Sequence, residues 1–230
     1  NWTINATRNY RRADQASTQE SDVTERISSV KENGLPSRLG AILLCGGESR
    51  RMGTPKAWLD WNGQPLLEYL VSILSQVSKE IVVVAAPGQD LPDLPAGVRR
   101  FDDPVRYEGP LFGMRVGLSA MPEDCTSAFV TGCDTPFITA NFIEELASLL
   151  GNHEIVVPKD DRFFHPLAAI YQTALVPRIH DLIQQGKRKP RQLLDLSDTL
   201  PVDPQELSTF DSSGLTLRNM NTPEDYHEAL

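Results

Sequence analysis

The stretch Leu44-Cys45-Gly46-Gly47-Glu48-Ser49-Arg50-Arg51-Met52-Gly53-Thr54-Pro55-Lys56 concentrates groups suited to holding a polyphosphate. Gly46 and Gly47 carry no Cβ, so a flat base or a phosphate can approach their backbone closely. Successive N–H groups in such a turn form an anion-binding concavity. Arg50, Arg51 and Lys56 place three cations within seven residues. The spacing is not that of a Walker A loop: five residues separate Gly47 from Gly53, and no Lys-Ser/Thr pair follows. Nor is it the GxGxxG of dinucleotide-binding folds. Taken singly, each part has a plainer reading, the Gly-Gly pair as a tight turn and the Arg pair as solvated surface.

A second group lies far along the chain, in Thr131-Gly132-Cys133-Asp134-Thr135-Pro136-Phe137. A carboxylate at Asp134, just after a predicted strand, can ligate Mg²⁺, which often takes one or two protein carboxylates while phosphates supply other oxygens. The alternative is an Asp that only forms a turn ahead of Pro136. Asp102-Asp103-Pro104 presents the same choice, with Asp103 the ligand-facing candidate and Asp102 its one-residue alternative. Cys45 and Cys133 flank the two segments and read as small packing residues. The run Lys187-Arg188-Lys189-Pro190-Arg191 is either a phosphate-receiving patch or a solvated helix end.

These groups can act together only if the fold gathers them. Ala41 to Cys45 and Ile81 to Ala86 are continuous apolar runs bounded by Gly or Pro, the pattern of buried parallel strands. A weaker strand is expected over Val98 to Asp102, and others at Ala128–Thr131, Ile155–Val157 and Leu167–Tyr171. Helical spacing recurs in Leu66 to Val77, in Leu111 to Met121, after a Thr139 cap, and over Ala174 to Gln185. Thr222-Pro223-Glu224-Asp225 reads as a final helix start, with a hydroxyl cap, Pro in the first turn and acids near the positive dipole end. Alternating strands and helices predict a three-layer, Rossmann-like α/β fold with a mainly parallel sheet. Ligands in such sheets bind beyond the carboxyl ends of the strands, where the strand order reverses. The candidate residues all follow strands.

The bulk properties narrow the function classes. A chain of 230 residues is long enough for one full core. No apolar run approaches the roughly 20 residues of a membrane span, and no basic-then-apolar signal pattern opens the sequence. Three cysteines without paired spacing argue against a disulfide framework or a structural zinc, and fit a cytoplasmic location. Residues 1–38 hold six Lys/Arg and five Asp/Glu, so of the net charge of −9 the remaining residues carry −10. An acidic body argues against nucleic-acid binding. It also means that an anionic ligand needs locally concentrated positive charge, which the Gly-rich segment provides. Residues 1–38 lack apolar periodicity and read as a flexible or loosely helical extension ahead of a single domain over 39–230.

Leu44, Cys45, Gly46, Gly47, Arg51, Met52, Gly53 and Lys56 resemble the signature of the MobA-like nucleotidyltransferases, with Cys45 where Ala is more usual. That family includes enzymes that join GMP to molybdopterin. Cys133-Asp134-Thr135-Pro136 resembles its second signature, Asp103 matches a nucleotide-contacting carboxylate, and Asn219-Met220-Asn221-Thr222-Pro223-Glu224 resembles its C-terminal one. His165-Pro166-Leu167 also recurs there.

The resemblance implies a nucleotide-diphospho-sugar-transferase type of fold, with GTP and molybdopterin as substrates and Mg²⁺ on Asp134. It implies nucleotide contacts from Leu44, Cys45, Gly46, Gly47, Lys56, Asp103 and Asp134, and catalytic roles for Lys56, Arg51 and Asp134. Asn219, Asn221 and His165 would meet the acceptor; an amide offers both donor and acceptor to a pterin edge. Asn is equally at home in a turn, and a lone His is often structural, so both readings stand for these three. Partners implied are the enzyme delivering molybdopterin and the apo-enzymes receiving the product. The rivals are a cytidylyltransferase or sugar-phosphate nucleotidylyltransferase of the same fold, and a catalytically silent nucleotide-binding module.

Overall fold

The apolar run after Arg38 forms strand β1 (Leu39–Leu44), in which Ala41, Ile42 and Leu43 are wholly buried. Arg38, counted with the N-terminal tail from the sequence, is instead anchored to the domain by ion pairs with Glu80 and Asp124. The structure is a computed structural model and describes residues 38–46, 52–104 and 108–230. The expectation for residues 1–37, and those for Gly47 and Arg51, fall outside the described residues.

After a short 3₁₀ turn at Lys56–Trp58 comes a small hairpin, β2 (Asp60–Trp61) and β3 (Gln64–Pro65). Its turn is Asn62-Gly63, with φ of 55° and 85°, the left-handed pair that a two-residue type I′ turn demands. Helix α1 (Leu66–Val77) buries Leu66, Leu67, Leu70, Val71 and Leu74 at helical spacing. Strands β4 (Glu80–Ala85) and β5 (Arg99–Asp102) follow, then helix α2 (Pro110–Ser119) and strand β6 (Ser127–Gly132). Helix α3 (Ala140–Ser148) starts at Thr139, whose side chain accepts from the Phe142 N–H; such a cap contributes about 1 kcal/mol.

The second half runs through β7 (Ile155–Pro158), β8 (Ala168–Gln172) and α4 (Val176–Gln184). It continues with α5 (Arg191–Leu194), β9 (Thr199–Val202), α6 (Pro204–Leu207) and α7 (Pro223–Ala229). The expected Thr222 cap is present, as a reciprocal capping box with Asp225.

Among the described residues the main sheet has seven strands in the order β5-β4-β1-β6-β8-β7-β9. The pairs β4/β5, β1/β4, β1/β6 and β7/β9 are parallel, and β8 alone runs antiparallel to its neighbours. The chain builds outward from β1 through β4 to β5, then returns to add β6 on the other side of β1. Right-handed crossovers therefore put α1 and α2 on opposite faces. On one face α2 and α4 cover Ile42, Val82, Val84 and Val130. Gly117 of α2 sits so close to β1 that a Cβ there would lie 2.5 Å from the Ile42 Cγ2. The reversal falls between β1 and β6, so the carboxyl ends of those two strands are where a ligand site is expected.

Candidate active site

Leu44 and Gly132 are register partners at the ends of β1 and β6. The residues after them therefore leave the sheet side by side. The Cys133 N–H donates to the Leu44 carbonyl (3.1 Å), and the Cys45 N–H donates to the Val84 carbonyl (2.8 Å). The two sulfur atoms lie 3.3 Å apart, both buried and both free thiols. Hydrogen bonding to Cys133, then burial, raises the Cys45 thiol well above its ordinary value, which keeps it protonated and unreactive. The two cysteines thus pack the floor of the switch point, as their size implied.

The turn after β6 is locked internally. The Thr135 hydroxyl donates to the Gly132 carbonyl (3.0 Å) and shares a 2.8 Å hydrogen bond with Thr131. A Cβ on Gly132 would stand 2.6 Å from Asp134 Oδ1, so any other residue there would displace the carboxylate. The glycine thus leaves the space that the Asp134 carboxylate occupies. Lys56, opening the 3₁₀ turn, brings its ammonium to 3.3 Å from Asp134 Oδ2 and donates to Asn221 Oδ1 at 3.0 Å. The loop carrying Asn221 is held in place by the Met220 N–H, which donates to the Asp134 carbonyl (2.8 Å). Asp225 accepts from the N–H groups of Asn221 (2.8 Å) and Thr222 (2.9 Å), and these bonds hold its carboxyl below the usual range. Three segments separated by up to 165 positions meet at one ammonium.

Asp103 also finds its place. Its N–H continues the ladder by donating to the Ala85 carbonyl (2.8 Å). Its Oδ2 lies 3.9 Å from where a Gly113 Cβ would be, and Leu44 Cδ2 lies 3.3 Å from the same point. Gly113 therefore lets α2 settle against both residues. Asp102, by strand alternation, turns outward and pairs with Arg100 (3.0 Å). Between the two candidate acids, the geometry points Asp103 inward.

The acceptor candidates are less gathered. Asn219 is exposed. His165 precedes β8, whose first residue Ala168 lies opposite Thr131, so it belongs to the same rim of the sheet. Its Nε2 is bonded to Asp160 Oδ2 (2.9 Å), and among the described residues no hydrogen bond or ion pair joins it to Lys56, Asp134 or Asn221. Asp160 is held down to about 2 by the N–H groups of Arg162 and Phe163, with His165 adding to the effect. In the basic run, Arg188 pairs with Glu108 (2.7 Å) and lies over the Phe112 ring, while Arg191 pairs with Asp195 (3.0 Å) and stacks 4.2 Å from the Phe164 ring. Lys187, Lys189 and Arg191 are exposed, as a solvated helix end would be, while the Arg188 and Arg191 guanidinium groups also contact the start of α2 and the β7–β8 connection.

Residues not singled out from the sequence include Met220, which acts through its backbone, and Asp225, whose role at the Asn221 turn was readable only as a helix cap. Gln89 is a third. Its side chain bridges the ends of β1 and β4, and the only hint of it was the preceding Pro87-Gly88 turn signal.

A lysine, a carboxylate and an exposed Gly46 around a strand-order reversal suit phosphoryl chemistry on a nucleotide. The fold and site together define a nucleotidyltransferase. The chain belongs to the MobA-like NTP transferase family, matching that domain over residues 41–202. A protein described as a probable molybdenum cofactor guanylyltransferase from Mycobacterium avium is 41% identical over 82% of this chain and 93% of its own length. The Archaeoglobus fulgidus molybdopterin-guanine dinucleotide biosynthesis protein A superposes with a TM-score of 0.68 at 23% identity, over 83% of this chain and 96% of that one. A Thermus thermophilus 2-C-methyl-D-erythritol 4-phosphate cytidylyltransferase gives 0.55 at 17% identity, over 76% and 98%. Both solved structures share the fold.

Proposed function

We propose that this protein transfers GMP from GTP to molybdopterin and releases pyrophosphate. The observation that carries the reading is the meeting of Lys56, Asp134 and Asn221, which brings the Gly-rich segment, the strand-end carboxylate and the C-terminal turn to one point. The 41% identity to guanylyltransferase relatives supports the choice of substrates.

The chemistry follows from charge. The acceptor is a phosphate monoester with a second pKa of about 6. It is mostly dianionic at neutral pH and needs no general base. An oxygen of that phosphate forms a bond to the α-phosphorus of GTP. The bond from the α-phosphorus to the bridging oxygen breaks, and its electron pair leaves with pyrophosphate. The protein must bring two anions together and offset the charge that builds between them. Lys56 is placed for this, and Arg51 is assigned the same task. Leu44, Cys45, Gly46, Gly47 and Asp103 are assigned to the nucleotide; Asn219, Asn221 and His165 are assigned to the acceptor.

The donor set around Asp134 fits Mg²⁺. Among the described residues no cluster of three or more His, Cys, Asp or Glu forms a metal cage. A single carboxylate, a quarter exposed beside Lys56, suits an ion that shares its shell with a triphosphate. Asp134 would hold the ion, which supplies charge neutralisation at the phosphates. In the described state Lys56 balances Asp134, so the carboxylate has a cation partner without the metal. The three free thiols support work in a reducing cytoplasm.

The test is a panel of GTP, CTP and ATP with molybdopterin, following pyrophosphate release. Release with GTP alone is expected. A preference for CTP would move the protein to the cytidylyl branch, and no release with any triphosphate would end the reading.

A further inference from the structure

We infer that Gln89 is a positioning residue for the nucleotide: its side-chain amide replaces a missing rung between β1 and β4 and thereby sets the direction of the Cys45–Gly46 peptide. The inference rests on the functional reading above.

The last backbone rung between these strands is the Cys45 N–H bonded to the Val84 carbonyl. In a parallel ladder the next rung would join the Ala86 N–H to the Cys45 carbonyl. Instead, Gln89 stands between them. The Ala86 N–H donates to Gln89 Oε1 (2.9 Å), and Gln89 Nε2 donates to the Cys45 carbonyl (3.0 Å). One carboxamide satisfies both partners and spreads the strand ends by its own width. The local sequence explains how the side chain gets there. Ala86-Pro87-Gly88-Gln89 closes with the Gln89 N–H donating to the Ala86 carbonyl (3.0 Å), and Gly88 has φ of 68°. Pro in the second position and a positive-φ Gly in the third make a type II turn, which folds residue 89 back onto the strand it has just left.

The consequence lies on the other side of the peptide. A trans peptide points its carbonyl and the following N–H in opposite directions. With the Cys45 carbonyl tied toward β4, the Gly46 N–H is turned toward β6, where Cys133 and Asp134 begin. Among the described residues nothing accepts from it. A Cβ on Gly46 would meet only ordinary contacts, 3.6 Å from the Ala86 nitrogen. Among the described residues, neither backbone strain nor crowding demands glycine there, which is consistent with the space being left for a ligand. Asp90 adds a second tie, its carbonyl accepting from Trp58 Nε1 (3.3 Å) in the 3₁₀ turn that begins with Lys56. Consecutive residues 89 and 90 thus fasten both ends of the Gly-rich segment.

The test compares wild type with Q89L and Q89E by GTP titration in Mg²⁺, steady-state kinetics in both substrates, and thermal melting. Q89L leaves the Cys45 carbonyl unanchored, and a roughly 10-fold or larger rise in the GTP dissociation constant is expected. The KM for molybdopterin and kcat at saturating GTP should stay within about 3-fold. Q89E keeps the acceptor for Ala86 but sets a carboxylate against a carbonyl. Its GTP affinity should be poor at pH 8 and recover as the pH falls toward 5.5, because the protonated carboxyl can donate again; wild type should show no such recovery. GTP affinity unchanged in both variants overturns the inference. So does a parallel loss of both substrates with a lowered melting temperature, which is the mark of a merely structural residue. Wild-type protein that binds no triphosphate would sink the functional reading, and this inference with it.

Discussion

The two sides of the crevice are built differently. On the side assigned to the nucleotide, four parallel strands end together, and the strand-end residues there are held by ladder bonds and by Gln89. On the side proposed for the acceptor, His165 lies in the connection from β7 to the antiparallel β8, and Asn221 lies in a turn near the C-terminus. There side-chain bonds join the backbone ones: His165 bonds to Asp160, and the N–H groups of Asn221 and Thr222 donate to Asp225, beside the Met220 N–H bond to the Asp134 carbonyl. The first side owes its shape to the sheet itself. The second can be altered residue by residue without disturbing the sheet.

The severest way to break the comparison is Asp134→Ala. It removes the carboxylate shared by both sides, and turnover should fall by about 10³-fold or more with the circular dichroism spectrum unchanged. Undiminished turnover would show that Asp134 only forms a turn. Lys56→Ala comes next, with an expected loss of about 10²–10³-fold in kcat/KM. Retained activity at that level of substrate would separate the ammonium from the phosphate chemistry. Asn221→Ala sharpens the boundary. If Asn221 serves the acceptor, the KM for molybdopterin should rise roughly 10-fold while GTP affinity holds within a few-fold. A comparable loss of GTP affinity would instead place Asn221 with the nucleotide, acting through Lys56.

The smallest effect belongs to Asp160→Asn. Asp160 has a folded-state pKa depressed to about 2 from an ordinary 3.8. Its contribution to stability is therefore complete above the ordinary value and is lost as pH falls from about 4 toward 2. The substitution should flatten the melting-temperature profile in that window and leave GTP binding untouched. An unaltered acid profile would mean that the hairpin bonds are not maintained in solution. Since the side chain is 45% exposed, solvent screening keeps the effect small.

Much of this was legible before any coordinates. The apolar runs located β4 and β6 to within a residue and β1 to within two, because strands buried on both faces have no polar side to interrupt them. Thr139 and Thr222 announced their helices because caps are local chemistry. The short elements were harder. Strand β9, helices α5 and α6, and the hairpin at Asn62-Gly63 went unread, although the Asn-Gly pair was a usable signal. The direction of β8 was not readable at all, since an apolar pentapeptide carries no record of which way its neighbours run. Among site residues, Asp134 and Lys56 could be picked by type and position, but Gln89 could not. A glutamine becomes a surrogate ladder rung only when another strand ends beside it.

Sequence alone determined the chemical repertoire: a glycine turn, clustered cations in an acidic chain, and a carboxylate after a buried strand, each fixed by residues a few positions apart. Tertiary structure decided the assembly. It turned Asp103 inward and Asp102 outward, set Lys56 between Asp134 and Asn221, and turned the Gly46 N–H toward the crevice. Those outcomes depend on strand order and register, which arise from long-range packing. No local run of residues encodes where a partner more than a hundred positions away will come to rest.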